Sequence, residues 1–232
     1  MSKLTLRQLD AGIEAAMANA KSLIEEAALL LGSGFHARAY TLSHIAREEL
    51  AKVTMLYAAG MKTLAEHPVD WNKLQKRLRD HSSKLTNDAI FLYANTPKAS
   101  ETLSLELMVT GTKTRNEWKN DSLYIALKDQ DFKTPAQLIT PRKAERTIAL
   151  ARLIFEDNIH YLSKGGKLAE RNAKSVKEIF GVMGNPSEMN WKEMKSQVEQ
   201  LSQIIHKQAP DLKNENSQPS FDTQANASTS EK

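Results

Sequence analysis

Residues 4–34 read LTLRQLDAGIEAAMANAKSLIEEAALLLGSG. Within them Leu6, Leu9, Ile13, Met17, Ala20, Ile24, Ala27 and Leu31 recur at steps of three and four, the period of one face of an α-helix. Thr5 followed by Gln8 is a capping-box pattern at the start of that run. Gly32-Ser33-Gly34 supplies the residues that close a helix, since glycine takes the left-handed conformation without a Cβ penalty. A second apolar-periodic run begins at once. Two long helices joined by so tight a turn predict an antiparallel helical hairpin.

The second helix is expected from Phe35 to about Glu66, with Tyr40, Ile45, Leu50, Val53 and Tyr57 inward and Pro68 as its stop. Asp70 then caps a third helix carrying Trp71, Leu74, Leu78, Leu85 and Ile90. Thr96-Pro97 breaks the chain before a fourth, from about Glu101 to Tyr124. Leu127 to Thr140 is polar, contains Pro135, and reads as a long connection with no alternating run long enough for a strand. Thr140-Pro141 starts a fifth helix that runs to about Ser163 and closes at Gly165-Gly166. A shorter helix near Ala169 to Phe180 and a last one from about Ser187 to Gln208 follow. The stripe Trp191, Met194, Val198, Leu201 and Ile205 on the last helix fits core packing or a dimer seam better than a ligand site. From Asp211 to Lys232 almost nothing is apolar, so the tail is expected to stay disordered. The reading is an all-α antiparallel bundle over residues 1–165, a helical extension over 166–210 and a tail over 211–232.

The 232 residues are 41% hydrophobic and only 6% aromatic, which supplies a core but favours helix over strand. With no cysteine, disulfides, thiolate metal sites and cysteine nucleophiles are excluded, and a reducing, cytoplasmic setting is expected. No apolar run approaches membrane-spanning length, and the charged N-terminus lacks a signal-peptide core, so no membrane partner is expected. A net charge of +4 suits RNA but decides nothing alone. A di-iron bundle would need Glu-x-x-His pairs, and no Glu here has a His three residues later, so no metal or other cofactor is expected.

Chemistry concentrates in the second and third helices. Arg47, Glu48, Glu49 and Lys52 fall within two turns, with Glu48 and Lys52 as an i,i+4 pair. One reading is a solvated ion-pair face. The other notes that Ile45, Ala46, Leu50 and Val53 bracket the charges, so that a carboxylate lies inward and must be partnered. On the third helix Arg77, Arg79, His81 and Lys84 form either a basic solvated face or a phosphate contact. His81 is the best acid–base candidate there, because imidazole titrates near neutral pH.

The elements Asn19 … Glu25-Glu26-Ala27 and Ala39-Tyr40 … Ala46-Arg47-Glu48-Glu49-Leu50-Ala51-Lys52 together resemble the AbiV family of abortive-infection proteins, a branch of the HEPN helical domains. Trp71 … Arg79-Asp80-His81-Ser82-Ser83-Lys84 is similar to that family's His-x-x-Lys element. Ser122-Leu123-Tyr124-Ile125 is similar to another, with Ala126 where an Asp is usual. The resemblance spans Leu6 to Leu162. It implies an HEPN-like bundle and an antiphage role, in which growth or translation is arrested on infection. It also implies a homodimer, RNA (tRNA, mRNA or rRNA) as the target, and a phage-encoded activator or an antitoxin as a further partner.

Many HEPN domains are metal-independent ribonucleases whose signature is an Arg followed by a His after four to six residues. Arg38 and His44 meet that spacing as an alternative catalytic pair, a match that chance readily produces. Arg115-Asn116 opens like the motif, but Asn120 stands where the His belongs, and Asn cannot shuttle protons. Tyr124 is expected to pack with its hydroxyl bonded to a neighbouring helix, with a site role as the lesser alternative. Two functions follow: an RNA-cleaving effector that uses His81, or a non-catalytic module that blocks translation by binding a ribosomal or phage-encoded protein.

Overall fold

The predicted capping box forms: the Gln8 backbone N–H donates to Thr5 Oγ1 at 3.2 Å, and the Thr5 N–H donates to Gln8 Oε1 at 2.9 Å. It opens α1 (Leu6–Gly32), whose inward stripe is Leu9, Ile13, Ala16, Ala20, Ile24 and Ala27. Gly34, at φ +83°, reverses the chain after Ser33 closes the helix. The antiparallel partner α2 (His36–Leu64) packs along α1. The computed structural model describes residues 2–95, 105–181 and 196.

α2 is buried round much of its circumference, because other helices cover the faces that α1 leaves open. Small residues such as Ala39 and Ala46 let those neighbours approach closely. Its buried set also includes Thr41, Ser43, His44, Arg47 and Glu48, so the central helix carries a polar belt into the interior. Buried polar groups of this kind need partners.

The single third helix expected from Asp70 is two helices. Asp70 caps α3 (Trp71–Arg79) by accepting the Lys73 N–H at 2.8 Å. At Asp80 the backbone turns extended (φ −78°, ψ 120°), and the Asp80 carboxylate accepts the Ser83 N–H at 2.6 Å to start α4 (His81–Asn95). Next comes α5 (Leu105–Leu123); the expected start of this helix at Glu101 lies outside the described residues.

The long connection expected over 127–140 is also corrected. It holds a hairpin of β1 (Ala126–Lys128) and β2 (Asp131–Lys133), then one turn of helix, α6 (Pro135–Leu138). Asp129 and Gln130 both have positive φ, +51° and +64°, the two-residue turn whose twist matches paired strands. Three-residue strands are too short to print an alternating pattern, and the turn lacks its usual glycine. Thr140 then caps α7 (Pro141–Gly165), as the Thr-Pro signal predicted, and Gly166 ends it at φ +66°.

A 3₁₀ turn, Leu168–Glu170, returns the chain to the bundle. Asp10 on α1 accepts the N–H groups of Leu168 and Ala169 at 2.9 and 3.0 Å. Leu168 seats against Gly60, and with Val176 of α8 (Ala173–Gly181) it belongs to the same core cluster as Leu9, Ile13 and Val53. The fold is all-α, with the hairpin as the one sheet among the described residues. The expected stripe from Trp191 to Ile205 and the tail from Asp211 lie outside the described residues. Among the described residues no helix is long and apolar enough to cross a membrane.

Candidate functional site

Helical spacing aligns two rows of polar groups. His44, Arg47 and Glu48 share a face of α2, and His81, Lys84 and Asp88 share a face of α4, each set stepping by three and four. Where the rows meet, Glu48 is the hub. Its carboxylate is 3% exposed and accepts from Lys84 Nζ at 2.6 Å and from His81 Nδ1 at 2.7 Å. Lys119 Nζ, from α5, stands 3.7 Å away, and His44 Nε2 lies 3.5 Å away, an electrostatic approach longer than a good hydrogen bond.

Burial pushes the Glu48 carboxyl up, but contacts with His44, Lys84 and His81 outweigh it and hold the group well below the usual carboxylate range. Glu48 is therefore ionised at neutral pH and can only accept. The His81 nitrogen facing it must carry a proton, so in the neutral ring Nε2 is the nitrogen that bears the lone pair. Glu48 is buried while the His81 side chain is 56% exposed, so the imidazole is anchored inside and open outside.

Beside this hub lies a second pair, Arg47 with Asp88, both buried. Burial pushes the Tyr40 phenol up to about 12, against the opposing pull of Arg47 and Arg115. Thr41 Oγ1 and Ser122 Oγ meet at 2.7 Å and tie α2 to α5. His44 is enclosed, with its ring against Tyr40 and its pKa lowered chiefly by burial.

The expected set Arg47, Glu48, Glu49 and Lys52 is thus divided. Glu48 pairs with α4, Arg47 pairs with Asp88, and Lys52 reaches Glu49 at 2.5 Å on a half-open face, not Glu48 as an i,i+4 pair would. Lys84 joins His81 at the site but is buried in its ion pair. Arg77 and Arg79 are exposed in the last turn of α3, since the break at Asp80 separates their helix from that of His81. Arg38 and His44 do not form a site within the chain. Six helical residues place them about 120° apart, with Arg38 exposed and His44 enclosed.

Tyr124 is 65% exposed, not packed, because α5 ends at Leu123 and the chain leaves the bundle there. Lys119 and Asp88 went unnoticed in the sequence, although Asp88 lies four residues beyond Lys84 and Lys119 sits one before Asn120. Asn120 is exposed, and the neighbouring Lys119 is the residue that turns inward to Glu48. Among the described residues no cluster of three or more His, Cys, Asp or Glu is arranged to hold a metal.

The sequence profile of the AbiV family matches residues 8–156, from early α1 to within α7, and takes in every residue of the Glu48 cluster. The chain belongs to the AbiV family of HEPN domains. Membership gives it an abortive-infection, antiphage role. No curated relative and no solved structure matches the chain.

Proposed function

We propose that this AbiV-family chain arrests infected cells by metal-independent cleavage of RNA, with His81 as the general base. The observation that carries the reading is the solvent-facing imidazole held through Nδ1 by a buried, ionised Glu48. Nε2 takes the proton of a ribose 2′-OH, the 2′-oxygen attacks the adjacent phosphorus, and the P–O5′ bond breaks. The 5′-oxygen leaves with a proton from water, and the hydroxide so formed takes the proton from His81, which restores the base. The products are a 2′,3′-cyclic phosphate and a 5′-OH end. Glu48 fixes the tautomer and aim of the ring, and the exposed Arg77 and Arg79 on the preceding turn hold backbone phosphates. No redox change and no cofactor enters this step.

His81→Ala tests it. Loss of a positioned general base slows such a step by ~10²–10⁴-fold, so the variant should lose both RNA cleavage and growth arrest while keeping the helical circular dichroism of the parent. Parental cleavage should persist in EDTA and leave cyclic phosphate ends. A second reading, a non-catalytic module that blocks translation through a ribosomal or phage-encoded protein, draws on the exposed Asn120 where the HEPN signature calls for His. Growth arrest by His81→Ala together with intact RNA in infected cells would select that second reading.

A further inference from the structure

The β1–β2 hairpin has two chemically distinct faces. Leu127 and Phe132 are register partners and share one face, exposed at 62% and 72%. Ile125, two residues before Leu127, is 65% exposed. The other face carries Lys128 opposite Asp131, and Lys133 opposite Ala126. An isolated two-stranded hairpin is marginal in water, and large exposed apolar groups gathered at one place mark an interaction surface.

Backbone geometry narrows what that surface takes. In a hairpin with a two-residue loop, the closing pair exchanges hydrogen bonds and the next pair does not. Here the closing pair is Lys128–Asp131 and the next is Leu127–Phe132. The N–H and C=O of Phe132 therefore point away from β1, along an edge that no third strand continues among the described residues. An antiparallel copy of β2 centred on Phe132 would satisfy both groups. The same two-fold register sets Asp131 opposite Lys133 of the copy, and Lys133 opposite its Asp131. The β1 edge lacks this property, since pairing about Leu127 would set Ala126 opposite Lys128. Charge complementarity thus selects β2, and it selects a second copy of this chain.

We propose that the outer edge of β2 is a homodimer seam, in which Asp131-Phe132-Lys133 pairs antiparallel with itself to build a four-stranded sheet. Within one chain, Lys133 Nζ already holds Asp131 at 2.5 Å, and both groups are solvent-accessible, so the exchange to cross-copy pairs needs little rearrangement. RNA is a poorer occupant. Lys128 and Lys133 are balanced by Asp129 and Asp131, and Lys128 is engaged by Asp121 at 3.2 Å. The seam does not rest on the RNA-cleavage reading and stands or falls without it.

Light scattering on the full chain and three variants tests the seam. The parent at tens of micromolar should show the mass of two chains. Lys133→Asp faces Asp131 with a second carboxylate and should show the mass of one. The double variant Asp131→Lys/Lys133→Asp restores the pairing with signs exchanged and should regain the mass of two. Phe132→Glu should also give one chain, with unchanged helical circular dichroism showing that the bundle is intact. A parent of monomer mass overturns the proposal, as does a Lys133→Asp variant that stays dimeric or a double variant that stays monomeric. So does a Phe132→Ala variant that binds RNA more weakly at unchanged mass, which would make the face a nucleic-acid platform.

Discussion

Lys52 and Lys84 each hold a glutamate, yet they do so in different media. Lys52 and Glu49 are 27% and 15% exposed, so water screens their attraction and competes for both groups. Lys52→Ala should cost about 0–1 kcal/mol. Lys84 is buried on a buried carboxylate, and Lys84→Met would leave Glu48 short of its strongest cation. That change should cost on the order of 3–5 kcal/mol, reduced to the extent that Lys119 closes its 3.7 Å gap. Urea titration of both variants checks the order, and equal losses would refute it. The sequence offered a carboxylate inside α2 as one of two readings, because apolar residues bracket the charges. It did not show which lysine would answer, because that partner lies 36 residues away on a separate helix that begins after the break at Asp80.

His44 makes a second residue-scale prediction. Burial, assisted by Arg47, lowers its pKa in the fold below the ordinary 6.5, so the unfolded chain binds this proton more readily. Stability from His44 is therefore complete above its unfolded value and is lost as pH falls through the folded one. Glu48, also lowered in the fold, adds a loss in the same direction that begins only near its ordinary 4.5. The thermal midpoint should decline between about pH 7.5 and 5.5 in the parent, and less so in His44→Gln. Parallel curves for the two proteins would remove His44 as the cause.

At the scale of elements, Gly60 is the point where α2 admits the 3₁₀ turn. A Cβ at this position would meet Leu168 Cδ2 at 2.8 Å and Cγ at 3.0 Å, and would press into Cδ1. Gly60→Ala should therefore cost about 1–3 kcal/mol by overpacking, and most of that cost should vanish when Leu168 is already Ala. Additive losses in the double variant would show that the cost does not arise from contact with Leu168. Three helix starts were legible, at Thr5, Asp70 and Thr140, because each cap is a local hydrogen bond written in adjacent residues. The break at Asp80 was hidden although Asp80 is itself a capping residue. Leu74, Leu78 and Leu85 keep helical phase across it, so periodicity outvoted the cap. The hairpin was hidden for a different reason: Asp129 and Gln130 take left-handed conformations that composition normally assigns to glycine.

Across the whole molecule, the family and the all-α fold could be read from the chain, while the division of labour among its cations could not. Arg77, Arg79, His81 and Lys84 look alike on a sequence, but the fold sends Lys84 inward, leaves both arginines in solvent and suspends His81 between. That division predicts two kinds of kinetic loss. His81→Ala should lower kcat, because it removes the group that moves the proton. Arg77→Ala/Arg79→Ala should chiefly raise KM, because exposed cations that meet only the phosphate backbone bind ground and transition states alike. Each lost phosphate contact should also flatten the dependence of log K on log salt by about 0.7 for single-stranded RNA, or about 1.4 for the pair. Cleavage of a short labelled RNA across a salt series measures both quantities. If the double arginine variant lost kcat at unchanged salt slope, the arginines would be acting on the reacting phosphate itself, and the base would need to be sought among their neighbours.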